Sequence, residues 1–259
     1  MVLQVVNLIG RTTLDICAIL GSFTLFIFEF IKTLFTTQPK VHKFFVQTSS
    51  IGVDSLTIVI LTGSFTGMVF ALQSYIGFQR VGGEQFIGAV VALGMIRELG
   101  PVLTGLMVTG RSGSGIAAEI GTMRISEQID ALRTLRINPF QYLVVPRIVA
   151  STFVLPFLAL FAMLCGIVGG YIVCVYVLEL SAEDYMTNIR MYVEMKDIVG
   201  GLIKSSFFGF ILSAVGCYQG YYTMGGARGV GISTTRSVVT GSILILISNY
   251  FLTKLLEHL

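Results

Sequence analysis

The chain has 259 residues, of which 54% are hydrophobic and only 12% are charged, with a formal net charge of +3. Soluble domains typically carry about 25% charged residues, so this composition indicates an integral membrane protein, and the small net charge argues against a nucleic-acid partner. The apolar residues occur in long runs rather than in ten-residue alternating segments, which favours helices over a β-barrel. We therefore expect an all-α integral membrane protein whose residues 1–259 form a single domain.

Residues 1–45 contain an apolar stretch, 14–31, whose length is close to the ~20 residues that a membrane span needs. Polar residues recur along it at spacings of four and seven, so they form one stripe on a helix. Such a stripe favours an interfacial helix that lies in the membrane plane. A span whose terminal charges reach the interface is the alternative. The stripe consists of Arg11, Asp15, Ser22 and Glu29.

Residues 46–259 contain five apolar runs that predict five transmembrane helices. Pro101 should kink or interrupt the second helix. Glycines four residues apart in the first and third helices (Gly63/Gly67 and Gly166/Gly170) favour close helix packing. The loop 179–197 has a pattern that fits a short external helix. The predicted spans cover residues 50–77, 86–120, 149–178, 198–219 and 237–256.

Charge asymmetry predicts the orientation of these spans. The connections after the second and fourth spans are rich in arginine, whereas the loop 179–197 is dominated by acidic residues. Because positively charged loops remain in the cytoplasm, we expect a cytoplasmic N-terminus and a C-terminus on the opposite side.

A ridge of small residues runs along the second predicted span at four-residue spacing, which places it on one helix face. Small residues allow the backbone of another helix to approach closely, so we expect this ridge to pack against a helix, and it offers a self-complementary face for a second copy of the chain. A parallel row consists of Gly110, Ser114 and Ala118. The ridge itself consists of Gly105, Thr109, Gly113, Ala117 and Gly121.

A short amphipathic helix is predicted over Ser126–Ile137, with Ser126 as its N-cap and Asn138–Pro139 as its stop. It is too short to cross a bilayer, so it either lies on the membrane surface or docks into a groove of a partner. Its apolar face comprises Ile125, Ile129, Leu132 and Leu135, and its polar face comprises Glu127, Gln128, Asp130, Arg133 and Arg136.

Arg97 and Glu98 lie well inside the second predicted span. Charges at that depth cost several kcal/mol unless they face a partner, a cavity or water, and adjacent residues on a helix do not face each other. Lys204, early in the fourth span, is the expected partner of Glu98. The group is either a structural ion pair or a polar patch for a lipid headgroup, since Arg and Lys suit a phosphate. Gln73 and Tyr75, at the outer end of the first span, either line the same patch or are ordinary interfacial residues.

The chain shows no pattern typical of an enzyme. No histidine accompanies a serine or cysteine on one helix, no carboxylate cluster has metal-ligand spacing, and the four cysteines form no CxxC pair. The segment GGARGVG, 225–231, lacks the strand and helix of a dinucleotide fold, and no GxxxxGK[ST] motif occurs. We interpret this segment as a flexible cytoplasmic turn, with the fifth helix starting at Ser233–Thr235.

Four segments together resemble the MlaE (YrbE) permease family of ABC transporters: RELGPVLTGLMVTGRSGSGIAAEIGTMR, EQIDALR, NPFQYLVVPR and GARGVGISTTRSVV. The resemblance extends from about residue 45 to the C-terminus. One departure is Asn249, because the family commonly has an acidic residue at this position.

The resemblance implies an inner-membrane permease subunit that moves phospholipid, assembled as a homodimer on two ABC ATPase subunits that bind the ATP. A periplasmic lipid-binding MCE-domain protein and a STAS-domain protein are further implied partners, and the C-terminus would then be periplasmic. The amphipathic helix would be the coupling helix that seats in the ATPase. Gln73, Arg97, Glu98 and Lys204 would surround the lipid. An ATPase-independent carrier or channel, or a purely structural membrane anchor for the ATPase, is the alternative.

Overall fold

The computed structural model describes residues 2–36 and 41–256, together with their side chains except those of 2–13, 15, 16 and 81, and its secondary structure in these ranges is helical. Six helical segments in the described ranges are long and apolar enough to cross a membrane: Cys17–Thr36, Val41–Phe78, Glu84–Ile125, Phe140–Val177, Met195–Tyr221 and Gly226–Leu256. The predicted all-α membrane fold is confirmed. The helices are α1 (Val2–Thr36), α2 (Val41–Phe78), α3 (Glu84–Ile125), α4 (Gln128–Thr134), α5 (Phe140–Val177), α6 (Ala182–Tyr192), α7 (Met195–Tyr221) and α8 (Gly226–Leu256).

The short helices define two ends of the bundle. Helix α4 joins α3 to α5 at one end, and α6 joins α5 to α7 at the other. We call these the α4 end and the α6 end. The turn between α7 and α8 lies at the α4 end, because α7 starts next to α6 and its last residue, Tyr221, contacts Arg133 of α4. The predicted placement of these ends in the cytoplasm and the periplasm stays a prediction.

Helices α3 and α5 contain π-helical turns, whereas α7 is α-helical throughout. In α3 the π turns are Met95–Leu99 and Thr109–Gly113, and in α5 they occupy the two ends, Phe140–Val144 and Val173–Val177. The first π turn of α3 ends at Leu99, two residues before Pro101. The extra residue in the turn accommodates the missing N–H of proline, so the helix continues instead of breaking.

Glycines bring α2 and α5 together along most of their length. An added Cβ at Gly63 would overlap the backbone of Ala162, and one at Gly67 would overlap the backbone of Gly166. The two predicted glycine pairs therefore lie on facing helices of this chain, where the absence of side chains allows close backbone approach.

The ridge of small residues on α3 is buried inside the chain. Gly105 faces Phe208 of α7, Gly113 faces Leu212 of α7, Thr109 faces Gly241 of α8, and Ala117 and Gly121 are also buried. The expectation that this ridge offers a face to a second copy is therefore wrong, because α7 and α8 already cover it. The parallel row is more accessible: Gly110 is exposed, and Ser114 and Ala118 are partly exposed.

Helix α1 packs one face on the α4 end of the bundle. Phe26 is 1% exposed and Phe30 is 5% exposed, whereas Leu25 and Phe28 on the opposite side are largely exposed. Of the predicted polar stripe, Ser22 contacts the Tyr218 hydroxyl at 2.6 Å and Glu29 is exposed. The side chains of Arg11 and Asp15 lie outside the described part of the chain. The interfacial placement of this helix stays a prediction.

Helix α6 is the short external helix predicted in the loop 179–197. The Ser181 hydroxyl caps its N-terminus by accepting a hydrogen bond from the Asp184 amide at 3.3 Å. Tyr185 is 3% exposed and donates its hydroxyl to the Ile167 carbonyl at 3.1 Å. Burial raises the pKa of Tyr185 well above its ordinary value, so this donor stays protonated and holds α6 against α5.

Two predicted boundaries near the α4 end are wrong. Ser126 does not cap the amphipathic helix: its hydroxyl donates to the Thr122 carbonyl at 2.8 Å and ends α3, while Glu127, with φ 57°, makes the turn into α4.

The glycine-rich segment is not a flexible turn. Gly225 and Gly226, with φ 90° and 68°, form the turn, and α8 starts at Gly226, ahead of the predicted start at Ser233–Thr235.

Candidate functional site

A polar cluster joins α3, α7 and α8 nearer the α6 end. The Lys204 ammonium group donates to Glu98 Oε1 at 2.7 Å, and Asn249 Nδ2 donates to Glu98 Oε2 at 2.8 Å. The Thr253 hydroxyl lies 2.8 Å from Lys204 Nζ and 2.9 Å from Glu98 Oε1. The Lys204 side chain is 4% exposed and that of Glu98 is 38% exposed. The predicted pairing of Glu98 with Lys204 is present, and two residues of α8 complete it.

Pro101 supplies a third acceptor for Lys204. A proline has no N–H, so the carbonyl of the residue four positions earlier loses its helical partner. That carbonyl belongs to Arg97, and it accepts a hydrogen bond from Lys204 Nζ at 2.9 Å. An ammonium group has three donors. Glu98, Thr253 and the Arg97 carbonyl occupy all three, so Lys204 has no donor left for a ligand.

The Arg97 side chain points to a different partner. Its Nε and Nη2 lie 2.8 and 2.7 Å from Asp197 Oδ1, and the other oxygen of Asp197 accepts the Glu194 amide at 3.0 Å, capping α7. Asp197 is 4% exposed, whereas the Arg97 side chain is 49% exposed. A guanidinium has five N–H donors. Asp197 uses two of them, so the exposed side of Arg97 can meet an anion.

The other residues predicted for this patch do not join the cluster. Gln73 is exposed on α2, and the contacts described for this part of the chain do not connect it to Glu98 or Lys204. The Tyr75 hydroxyl accepts a hydrogen bond from Gln79 at 3.3 Å. Asn249, Thr253 and Asp197 were not predicted as site residues. The signal for the first two was the four-residue spacing of polar side chains on one face of an apolar helix.

An apolar groove of about 440 Å³ lies between α7 and α8 and is closed on one side by Phe23 of α1. Phe210 and Ala214 form its α7 side, and Ser248 and Leu252 form its α8 side. Ser248 donates its hydroxyl to the Ile245 carbonyl within its own helix, so the groove wall offers no free hydroxyl donor there. On α8 the groove residues Ser248 and Leu252 directly precede the cluster residues Asn249 and Thr253, so the groove and the polar cluster occupy adjacent faces.

Helix α4 is attached to the bundle by two apolar side chains, Ile129 and Leu132, and by a network of charges. Ile129 is fully buried. Asp130 lies 3.0 Å from Arg124 and 3.3 Å from Arg133, and Arg133 Nη2 donates to the Tyr221 hydroxyl at 2.6 Å. The inner side of the predicted polar face is therefore occupied by contacts within the chain. Of the predicted coupling residues, Asp130 is partly exposed, and Ser126, Glu127, Gln128, Arg133 and Arg136 remain exposed.

An aromatic cluster supports the attachment of α4. The rings of Tyr221 and Phe140 are 5.2 Å apart, and those of Phe26 and Tyr221 are 6.1 Å apart. Tyr222, just after α7, has a raised pKa, caused first by burial and then by the neighbouring tyrosines. Its phenol therefore stays neutral.

Comparisons with known proteins agree with this architecture. A family model described as Permease MlaE matches residues 44–255. A probable ABC transporter permease protein of Rickettsia felis is 47% identical over 98% of this chain and 98% of its own length. A probable ABC transporter permease protein of Synechocystis is 41% identical over 81% of this chain and 80% of its length. The intermembrane phospholipid transport system permease protein MlaE of Haemophilus influenzae is 31% identical over 99% of this chain and 98% of its length.

These similarities cover the polar cluster, the groove and α4 alike, since all three lie mainly within residues 44–255. The family match extends over all five predicted core spans, apart from the final residue of the last span. The chain belongs to the MlaE permease family and is an ABC transporter permease.

Proposed function

We propose that the chain is the membrane-spanning subunit of an ATP-driven transporter that moves phospholipid between the inner membrane and a periplasmic MCE-domain partner. The name of the Haemophilus influenzae relative, an intermembrane phospholipid transport system permease, supports the cargo class. ATP is bound and hydrolysed by a separate ATPase subunit, to which a STAS-domain protein binds. The N-terminus is cytoplasmic and the C-terminus is periplasmic.

The observation that carries the proposal is the half-exposed guanidinium of Arg97 beside a cluster whose charges balance each other. Glu98 balances the charge of Lys204, and Asp197 balances that of Arg97. Arg97 alone retains donors on an exposed side. A planar guanidinium binds a phosphate through two parallel hydrogen bonds, so Arg97 holds the headgroup, while Glu98 and Lys204 fix the helices around it.

The groove between α7 and α8 suits the acyl chains. Its wall is almost entirely apolar, and its α8 residues directly neighbour the cluster. A phospholipid needs a polar site for its headgroup and an apolar wall for its tails at short distance from each other. The two adjacent faces of α8 provide this arrangement.

The ATPase seats on the exposed side of α4, which carries Ser126, Glu127, Gln128 and Arg136. Two copies of the chain assemble in this complex. The exposed row of Gly110, Ser114 and Ala118 supplies the small-residue face, because the buried ridge is occupied by α7 and α8. A Cβ at Gly110 would meet no atom within 4 Å, so a partner helix has room to approach there.

The test is lipid transfer by the complex that co-purifies with the tagged full chain, reconstituted in liposomes containing acyl-labelled phosphatidylglycerol. We expect co-purification of an ATPase and an MCE-domain protein, and transfer that requires ATP. Transfer by the chain alone, without ATP or partners, would establish an ATPase-independent carrier or channel instead. Assembly with the ATPase but no lipid transfer would establish a structural anchor.

Arg97 is tested in the same assay with its partner neutralised. Arg97→Ala alone would leave Asp197 buried without a counter-charge, so the variant is Arg97→Ala combined with Asp197→Asn. Loss of a charged hydrogen bond to phosphate corresponds to about 1.5–3 kcal/mol, so we expect transfer at limiting lipid to fall by about tenfold or more. Arg80→Ala, an exposed arginine at the same end, is the matched control and should leave transfer unchanged. Unchanged transfer in the double variant would exclude Arg97 as the headgroup ligand.

A further inference from the structure

The contact between Arg133 and Tyr221 links α4 to the end of α7. Arg133 Nη2 donates to the Tyr221 hydroxyl at 2.6 Å, and Tyr221 is the last residue of α7. The Tyr221 side chain is only 7% exposed, whereas that of Arg133 is 53% exposed. A buried hydroxyl on the bundle therefore holds an accessible residue of the helix on which the ATPase is proposed to seat.

The ring of Tyr221 is fixed by neighbours from two other helices. Phe140, at the start of α5, lies 5.2 Å away between ring centroids, and Phe26 of α1 lies 6.1 Å away. A displacement of Arg133 therefore cannot be absorbed by rotation of the tyrosine ring alone, because packed side chains resist such motion. It must move the end of α7 or break the hydrogen bond.

Helix α7 is the stiffer of the two connections between α4 and the polar cluster. It runs from Met195 to Tyr221 as an α-helix without an internal proline or π turn. Lys204 and Tyr221 are both on it, about 25 Å apart at 1.5 Å per residue. The covalent route from α4 to Glu98 follows α3, which contains two π turns and Pro101. Such irregular turns are places where helices bend.

We propose that Tyr221 is a positioning residue that transmits the displacement of α4 along α7 to Lys204, and so to the polar cluster. This inference rests on the proposed ATP-driven function. When the ATPase moves α4, the Arg133–Tyr221 bond moves α7 as a rod. The Lys204 ammonium group then shifts relative to Glu98 of the more pliable α3. The hydroxyl of Tyr221 carries this coupling, and its ring serves packing.

Tyr218 provides a matched control one turn earlier on the same helix. Its hydroxyl also makes a hydrogen bond, to Ser22 of α1 at 2.6 Å, and its ring packs in the same aromatic cluster, 5.2 Å from Phe23. Tyr218→Phe and Tyr221→Phe each remove one hydroxyl and preserve one ring. They differ in the helix that loses its contact, α1 in the first case and α4 in the second.

The experiment reconstitutes the full chain with its ATPase in liposomes and measures acyl-labelled phosphatidylglycerol transferred per ATP hydrolysed. We expect Tyr221→Phe to assemble with the ATPase and to hydrolyse ATP at the basal rate. The lipid transferred per ATP should fall about fivefold, which is the lower end of the usual range for coupling between two sites. Tyr218→Phe should stay within about twofold of the unmodified chain. A structural role alone would change assembly or thermal stability and leave the ratio intact.

Arg133→Lys tests the same bond from the other side and leaves the aromatic cluster untouched. It should lower the ratio similarly, and in the Tyr221→Phe background it should add nothing further, since both changes remove one interaction. A ratio that stays normal in both single variants overturns the proposal, as does an equal loss in Tyr218→Phe. If the unmodified complex shows no ATP-dependent transfer, the proposed function fails instead, which is a separate result.

Discussion

The two polar networks of this permease use similar residues in opposite surroundings. The Glu98–Lys204 pair lies within the spans, with the lysine side chain 4% exposed, whereas Asp130 and Arg133 at the α4 end are about half exposed. Buried charges must have every donor and acceptor satisfied, because an unpaired group is costly away from water. Exposed pairs are screened and contribute little. We therefore expect the Glu98–Lys204 network to determine whether the spans assemble. The Asp130–Arg133 network should determine how a displacement of α4 reaches the rest of the bundle.

Removal of Lys204 should have the largest effect on stability. Lys204→Met removes the counter-charge of the Glu98 carboxylate and the donor to the freed carbonyl of Arg97. Breaking a buried pair costs about 3–5 kcal/mol. We expect about 3 kcal/mol because Glu98 is partly exposed, measured as a fall in the free energy of unfolding in detergent.

Lys196→Met is the matched control for this variant. Lys196 is on the same helix, its side chain is 70% exposed, and it pairs with the exposed Glu194 at 2.9 Å. Its removal should change the stability by less than about 0.5 kcal/mol. Equal losses in the two variants would mean that burial does not separate the two kinds of pair.

The polar cluster shows which contacts can be predicted from the sequence and which cannot. The pairing of Glu98 with Lys204 followed from one rule, that charges inside a membrane need partners, and few candidates existed. The contribution of Asn249 and Thr253 did not follow, because it depends on which face of α8 meets α3. Asp197 was assigned to an external loop, whereas it caps α7 and lies beside Arg97. Such contacts join residues from 49 to 155 positions apart and arise from packing.

Local boundaries were wrong for a different reason. Ser126 was predicted as the N-cap of the amphipathic helix. A single tight turn joins α3 to α4 at this point, and the Ser126 hydroxyl donates to a carbonyl of α3 instead. The segment 225–231 was predicted as a turn because of its glycines. Gly225 and Gly226 alone make the turn, whereas Gly229 lies inside α8 and serves close approach to the backbone of Met224.

Removal of the Thr253 hydroxyl should have an intermediate effect. Thr253→Val keeps the shape of the side chain but leaves Lys204 with two acceptors instead of three. An unsatisfied buried donor costs about 1–3 kcal/mol, and we expect about 1–2 kcal/mol because water can reach Glu98. Thr62→Val is the control, since the hydroxyl of Thr62 donates only to carbonyls of its own helix, Ile58 and Val59. A loss no larger than that of the control would show that Lys204 does not need its third acceptor.

Neutralisation of Asp130 should have the smallest effect on stability. Asp130→Asn keeps one acceptor for Arg124 and removes the charge that Arg124 and Arg133 share. Exposed pairs contribute about 0.2–1 kcal/mol, and salt weakens them further, because the screening length falls from about 10 Å at 0.1 M to about 3 Å at 1 M. Unfolding of this variant and of the unmodified chain should therefore converge as salt is raised, whereas the deficit of Lys204→Met should persist. A salt-insensitive loss in Asp130→Asn would place the α4 network in the same energetic class as the buried cluster, and α4 would then be a rigid part of the bundle rather than a helix able to move with an ATPase.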